Sequence, residues 1–288
     1  MANLEQIVNQ KTQSDTQWKL ERQTERENAY AMQDAGITEI TSNPEAYARY
    51  LDMQGDNPTY SAGNIALVML QNPEATQFGT RDRWQTLNRS VPDAETGKGV
   101  KIFARTAFTK GTILTDAYDI RQTQGRAIKE IQLQNGSREM EDALTTLLNY
   151  SVVPVIIDKD LKGPALYDET QMELVINPNY DDTVSFCHIA AEVAHSRLHA
   201  KGANRNYDRA ECELDAQSVS YILCRRFGID RELPDVSSVA ALYDGWEPQE
   251  RRQALDCVQD MSKQIGGSIV RDITPQQHNR TPIRRATR

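Results

Sequence analysis

The sequence predicts an α+β fold, and three patterns indicate it. Short apolar or alternating segments at 100–104, 112–114 and 151–157 are typical of β-strands. Longer segments with apolar residues at helical spacing, above all 183–200 and 208–227, predict amphipathic helices. Because strands in the second half are followed directly by these two helices, we expect a small sheet with a helix pair packed on it.

Composition divides the chain into four parts. Residues 1–42 are polar and rich in Gln and Glu, which predicts a helical but weakly anchored extension. Residues 43–125 begin with two predicted helices, continue with strands, and form the first predicted domain. Residues 138–265 form the second, in which 151–157 has the pattern of a buried strand. Residues 266–288, rich in Pro, Gln and Arg, are expected to be a disordered basic tail.

Charge and cysteine content narrow the classes of protein. The net charge of −8 argues against general coating of nucleic acid but permits a local basic surface. We expect a cytoplasmic protein with no membrane partner, since no apolar run has the length of a membrane span and the first residues are not a signal peptide. Cys187, Cys212, Cys224 and Cys257 show no Cys-x-x-Cys spacing, which indicates ordinary reduced thiols.

One predicted helix carries three of the four histidines on a single face. His188, Glu192, His195 and His199 are spaced so that they share an arc of about 60°. Zinc peptidases use His-Glu-x-x-His on a helix, where two imidazoles bind the metal and the Glu activates its water. Here Glu192 and His195 match that pattern, but Ala191 stands where the first histidine would be. Glu192 is therefore a candidate general base that we expect to be vestigial.

The next predicted helix supplies carboxylates for the same site. Asp215 lies at the edge of its apolar line and is the first candidate to meet His195, with Glu213 second. A metal site shifted to His195 and His199 is the alternative, and a solvated polar face on an amphipathic helix is another. The expected cofactor is zinc or none, with His195, His199, Asp215 and Glu213 as candidate ligands.

Basic and aromatic residues alternate in the stretch 81–110. Seven basic residues against three acidic ones give it a charge of +4, and Trp84, Phe103 and Phe108 are interleaved. Such a surface is the usual way to hold single-stranded nucleic acid, because charge supplies affinity and stacking tolerates any base. The alternative is a buried Trp84 beside charges that are merely solvated.

Several separated motifs resemble the ArdC-like antirestriction proteins of mobile elements, and more closely their LtrC-like relatives. They are Asn-Pro-Thr-Tyr-Ser-Ala-Gly-Asn at 57–64, Gln-Asn-Pro-Glu-Ala-Thr at 71–76, Trp84, the strand 99–103 and the run 207–219. The resemblance implies a first domain that binds single-stranded DNA and a second with the fold of a zinc peptidase, a zincin. Two departures are Ala191 and a turn at 92–98 that is less basic than in the family.

These patterns together predict a single-stranded DNA-binding protein joined to a degenerate zincin. The alternatives are an active zinc peptidase that cleaves a regulatory or restriction protein, and a scaffold for a protein partner. The side chains expected to contact DNA are Tyr60, Asn64, Gln71, Arg81, Arg83, Trp84, Arg89, Lys98 and Lys101.

Overall fold

The computed structural model describes residues 3–105, 111–200 and 207–274, and over these ranges it confirms an α+β fold. In chain order the first half contains α1 (Leu4–Ser42), α2 (Pro44–Asp56), α3 (Ala62–Gln71), β1 (Phe78–Gly79), α4 (Arg81–Thr86), β2 (Arg89–Ser90), β3 (Val100–Arg105), β4 (Thr112–Asp119) and β5 (Gln124–Gly125). Strands β1, β4 and β3 form an antiparallel sheet in that order, and β2 pairs with β5.

The two helices after α1 each begin directly after a capping residue. The side chain of Asn43 accepts hydrogen bonds from the backbone N–H groups of Glu45 and Ala46, and Pro44 follows it as the first helical residue. Ser61 caps α3 in the same way by accepting from Asn64. Each cap satisfies donors that the first turn of a helix leaves unpaired.

The predicted N-terminal extension is one long helix whose last third is firmly anchored. Residues 4–24 of α1 are exposed, whereas Ala29, Ile37 and Ile40 are buried. A Cβ atom at Gly36 would lie 3.0 Å from the Cβ of Ala66, so glycine lets α1 and α3 approach closely. The expectation of weak anchoring is therefore wrong for the end of α1.

The second half contains the expected small sheet and helix pair. Its elements are α5 (Arg138–Asn149), β6 (Val155–Ile157), β7 (Ala165–Asp168), β8 (Glu173–Ile176), α6 (Asp182–Ala200), α7 (Arg209–Arg226), α8 (Val239–Leu242) and α9 (Pro248–Ile273). The sheet order is β6-β8-β7, with β6 parallel and β7 antiparallel to β8.

Two predictions for this half are wrong in detail. All three residues of β6 are exposed, and Ile157 is 70% exposed, so the apolar run at 151–157 is not a buried strand. Helix α9 continues past 265 to Ile273, so a tail that starts at 266 would begin inside a helix. The rest of the predicted tail, 275–288, lies outside the described residues.

One hydrophobic core joins the two predicted domains. Buried residues from Ile37 to Ile269 form a continuous cluster. Helices α2 and α7 meet inside it, where the hydroxyl of Tyr47 lies 3.0 Å from that of Ser218. The boundaries at 43–125 and 138–265 remain a prediction about the chain. Among the described helices, none has the length and apolar character that a membrane span requires.

Candidate functional site

β7 and α7 cover the middle of the α6 face that carries the histidines. His195 is fully buried and Glu192 is 6% exposed, whereas His188 is exposed, so this part of the face is not the solvated surface considered above. Buried polar groups need partners, because an unpaired one keeps the full cost of losing water. The partners of these two side chains therefore determine what the site can do.

Both carboxylate oxygens of Glu192 are bound. Oε2 accepts from the backbone N–H of Tyr167 at 2.8 Å, and Oε1 accepts from the Arg209 guanidinium at 2.7 Å. Arg209 also donates to the backbone carbonyl of Tyr167 at 3.3 Å. Because β7 is an edge strand of the three-stranded sheet, this pair occupies hydrogen-bonding groups that a further strand would otherwise use. Glu192 is thus an anchor for β7, neutralised by a cation.

His195 uses both of its ring nitrogens. Nε2 lies 3.2 Å from Oε2 of Glu213, and Nδ1 lies 2.9 Å from the hydroxyl of Tyr207. A carboxylate only accepts, so Nε2 carries the proton, and in the neutral ring Nδ1 accepts from Tyr207. The hydrogen bond with His195 is the main cause that lowers the pKa of Glu213 to about 2. Glu213 is therefore ionised at neutral pH.

The structure reverses the predicted order of the two carboxylates. Glu213 meets His195, whereas Asp215 lines a separate cavity with Tyr243 and Trp246. Residues two apart on a helix point about 200° away from each other, so Glu213 and Asp215 cannot share one site. The helical spacing was visible in the sequence, but which side of α7 faces α6 was not.

His199 has a partner of its own. Its Nδ1 lies 2.7 Å from the hydroxyl of Tyr167, and its ring stacks on Tyr207 with centroids 4.4 Å apart. A shifted metal site at His195 and His199 would require both rings to release these contacts. His188 lies on the wall of a cleft, where burial and then Arg231 lower its pKa.

The donor set does not fit a zinc ion. A zinc site needs three or four ligands with free lone pairs, and a catalytic one also needs a carboxylate free to take a proton from water. Here His195, His199 and Glu192 are engaged by other protein groups, and Ala191 offers no ligand atom. Within 3–105, 111–200 and 207–274, no three His, Cys, Asp or Glu side chains are grouped as a metal ion requires.

Trp84 is not available to stack on a base. It is 1% exposed and packs with Val91 and Tyr118 in a small second core. Its indole N–H donates to the backbone carbonyl of Tyr118 at 2.9 Å. The predicted stacking role is wrong, and the alternative of a core tryptophan is correct.

Asn64 and Gln71 support an edge strand. The side chain of Gln71 donates to the carbonyl of Lys101 and accepts from its N–H, both at 2.8 Å. Asn64 bonds the carbonyl and N–H of Phe103 in the same way, at 2.8 and 2.9 Å. Residues seven apart on α3 thus match residues two apart on β3, and these amides are not free for DNA.

Most of the other predicted DNA contacts also have partners within the chain. Arg81 donates to the Val91 carbonyl, and Arg89 donates to the carbonyls of Thr123 and Arg126. Tyr60 packs against Phe78, Lys101 bonds Asp116 and Glu25, Lys98 bonds Glu95, and Arg83 is exposed on α4.

An exposed aromatic surface lies where the sequence showed only isolated apolar residues. Tyr30 stacks on Phe103 with centroids 4.5 Å apart, and Arg26 lies 5.5 Å from the Tyr30 ring. Trp18 is 57% exposed, with Arg22 5.5 Å from its ring. We call Trp18, Arg22, Arg26, Tyr30 and Phe103 the aromatic stripe. The spacing of four residues along α1 was the sequence pattern that could have predicted the aromatic stripe. Phe108, which the sequence analysis counted among the aromatic residues of the basic stretch, lies outside the described residues.

The comparisons with known proteins give structural similarity alone. No protein-family model matches the chain, and no curated protein matches it by sequence. Among solved structures, it is similar to the antirestriction protein ArdC from plasmid R388 in its metal-free form, with 16% identity and a TM-score of 0.46 over 75% of this chain and 87% of that one. The Mn(II)-bound form of ArdC gives 14% identity and a TM-score of 0.46 over 77% and 89%.

Proposed function

We propose that this protein is an antirestriction-type binder of single-stranded DNA whose zincin-like part does not hydrolyse peptides. The observation that carries the second half of this proposal is the Glu192–Arg209 pair at 2.7 Å. A general base must reach the proton that it removes. Glu192 is instead buried between a guanidinium and a backbone N–H, so each of its oxygens already accepts a hydrogen bond within the chain.

The pair at His195 and Glu213 supports the same conclusion. In a metal site these two side chains would both point at the ion, whereas here they bond each other. Arg209 adds a fixed positive charge beside both carboxylates, which opposes the approach of a cation. The proposed role of α6 and α7 is therefore structural.

The first prediction concerns zinc. Purified full-length protein is expected to contain clearly less than one zinc per chain by elemental analysis, and Glu192→Gln should change no peptidase activity. Stoichiometric zinc that disappears in His195→Ala would contradict this and favour an active peptidase. His188→Ala is a matched control on the same helix, because Glu213 bonds His195 there.

The aromatic stripe supports the DNA-binding half of the proposal. Binding without sequence preference needs aromatic faces on which bases stack and cations for phosphate. Trp18 and Tyr30 supply exposed rings about 18 Å apart along α1, at 1.5 Å per residue, with Arg22 between them. Glu25 lies 3.7 Å from Arg22 and 3.4 Å from Lys101, so we expect stacking to contribute more than charge.

The second prediction is that stripe residues, and not Trp84, determine affinity for single-stranded DNA. Trp18→Ala or Tyr30→Ala in the full chain should each weaken binding to a fluorescent oligothymidylate by about 1–3 kcal/mol. Leu20→Ala, equally exposed on α1 at 58%, is the matched control and should change little. Trp84→Phe should lower the melting temperature because it removes a buried hydrogen bond.

Two results would overturn the DNA-binding proposal. One is no retention of the oligonucleotide by the folded chain at about 50 mM salt, where electrostatic binding is strong. The other is equal binding by wild type, Trp18→Ala and Tyr30→Ala. Either result would favour the scaffold for a protein partner.

A further inference from the structure

Two cysteines that are far apart in the sequence lie side by side in the fold. Cys187 on α6 and Cys224 on α7 are 37 residues apart, and their sulfur atoms are 3.1 Å from each other. Both are free thiols. A disulfide has a bond length of about 2.05 Å, so closing one here needs a movement of only about 1 Å.

The two thiols differ in their access to solvent. Cys187 is 9% exposed and lines a cleft of about 760 Å³ together with Val184, His188 and Leu233. Cys224 is fully buried behind it. A small solute in the cleft therefore reaches the sulfur of Cys187 first.

Their surroundings also separate them electrostatically. The hydrogen bond from Cys224, followed by the charge of Arg231, lowers the pKa of Cys187, while burial raises the pKa of Cys224. Burial and the charge of Asp215 raise the pKa of Cys212 to about 11. Because the thiolate is the nucleophile, Cys187 combines thiolate character with an opening that a small molecule can enter.

The geometry points to a peroxide-reactive site in which Cys187 is oxidised first and Cys224 then converts it into a disulfide between α6 and α7. In the first step the Cys187 thiolate forms an S–O bond with a hydroperoxide and the O–O bond breaks. The sulfur is oxidised to sulfenic acid, and the leaving oxygen takes a proton and departs, as water when the oxidant is hydrogen peroxide. In the second step the sulfur of Cys224 attacks that of Cys187, the S–S bond forms and the S–O bond breaks. The Cys224 proton leaves with the oxygen as water, so two thiols and one hydrogen peroxide give one disulfide and two waters.

The disulfide would cross-link the two helices that carry Glu192, His195, Arg209 and Glu213. Ser220 and Arg231 already fix this region, since both donate to the backbone carbonyl of Cys187, at 2.5 and 3.0 Å. The thiols therefore sit in a pre-organised place, and oxidation would hold α6 and α7 together at the wall of the cleft.

The test is oxidation of the reduced full-length chain with hydrogen peroxide, followed by alkylation, intact mass and peptide mapping. We expect the loss of two thiols and a single cross-link between 187 and 224. Cys187 should be lost clearly faster than Cys212, since its pKa is lowered whereas burial raises the pKa of Cys212 to about 11, and Cys187 therefore holds more thiolate. In Cys224→Ala, a sulfenic acid at Cys187 should be trapped by dimedone.

Cys212→Ser and Cys257→Ser are matched controls and should oxidise like wild type. The inference is overturned if Cys212 or Cys257 reacts ahead of Cys187, or if no 187–224 cross-link forms. It is equally overturned if Cys187→Ser consumes peroxide at the wild-type rate. A thermal melt of each variant checks that it is folded. If Cys224→Ala is unfolded, Cys224→Ser is used in its place. The cross-link in the wild-type protein tests the inference even if neither Cys224 variant folds.

Discussion

At Glu192 a carboxylate is held by a backbone N–H of β7 and by the guanidinium of Arg209. The side chain of Glu192, taken without its backbone, is 8% exposed and that of Arg209 is 32% exposed, so this ion pair is largely removed from water. A buried pair contributes little net stability, but removing one partner leaves an uncompensated charge. Arg209 therefore contributes to stability mainly by neutralising the buried carboxylate of Glu192.

We expect Arg209→Gln to destabilise the fold by about 1–3 kcal/mol, below the value for a fully buried pair because Arg209 reaches solvent. Urea denaturation measures the change. Arg138→Gln is the control: Arg138 is 89% exposed beside Asp142, and its loss should cost less than about 0.5 kcal/mol. The double variant Glu192→Gln/Arg209→Gln should be more stable than Arg209→Gln alone. A double variant that is less stable would argue against this coupling.

At the scale of elements, both small three-stranded sheets have an edge strand that side chains occupy. Asn64 and Gln71 bond the outer edge of β3, and Glu192 with Arg209 bonds that of β7. An unpaired strand edge can form hydrogen bonds with a strand of another chain. Side chains from α3 cover this edge of β3, and side chains from α6 and α7 cover this edge of β7. The amides on α3 are therefore part of the sheet.

Gln71→Ala should destabilise the protein by about 1–2 kcal/mol, because the N–H and C=O of Lys101 lose their partners. Hydrogen exchange at the Lys101 amide should accelerate more than exchange at Phe103, which Asn64 still bonds. Gln71→Glu is the matched control, since it keeps the acceptor and should protect Lys101 better than Ala does. Equal exchange in all three proteins would refute the role assigned to Gln71.

At the scale of the whole molecule, contacts between α2 and α7 link the two predicted domains. Tyr221 donates to Asp52 at 2.8 Å, and Arg225 bonds Asp52 and Asp56 at 2.7 and 2.9 Å. These polar contacts border the shared core, in which Tyr47, Leu51 and Leu223 are fully buried. Separating the two predicted domains would expose apolar surface on both of them.

The two predicted domains are expected to unfold together in a single cooperative transition. Urea curves followed by tryptophan fluorescence and by circular dichroism should coincide, because the halves share one core. The fragment 43–125 alone should be unstable, since it loses the partners of α2. Two separate transitions, or a stable folded fragment, would support independent domains at the predicted boundaries.

The sequence by itself determined the fold class, the positions of the main helices and the degenerate Glu-x-x-His motif. These depend on local spacing, caps and the absence of a histidine at Ala191. The resemblance of separated motifs to ArdC-like proteins was also readable before any coordinates.

Only the tertiary structure decided which side chains meet. Trp84 is an aromatic residue in a basic stretch, which is typical of a residue that stacks on bases. It is buried instead, because it packs against Tyr118, which lies far along the chain. Glu213 rather than Asp215 meets His195 because of the way α7 is rotated against α6, and Cys187 meets Cys224 for the same reason. Periodicity gives the face on which a residue lies, but the partner of that face depends on packing between distant segments.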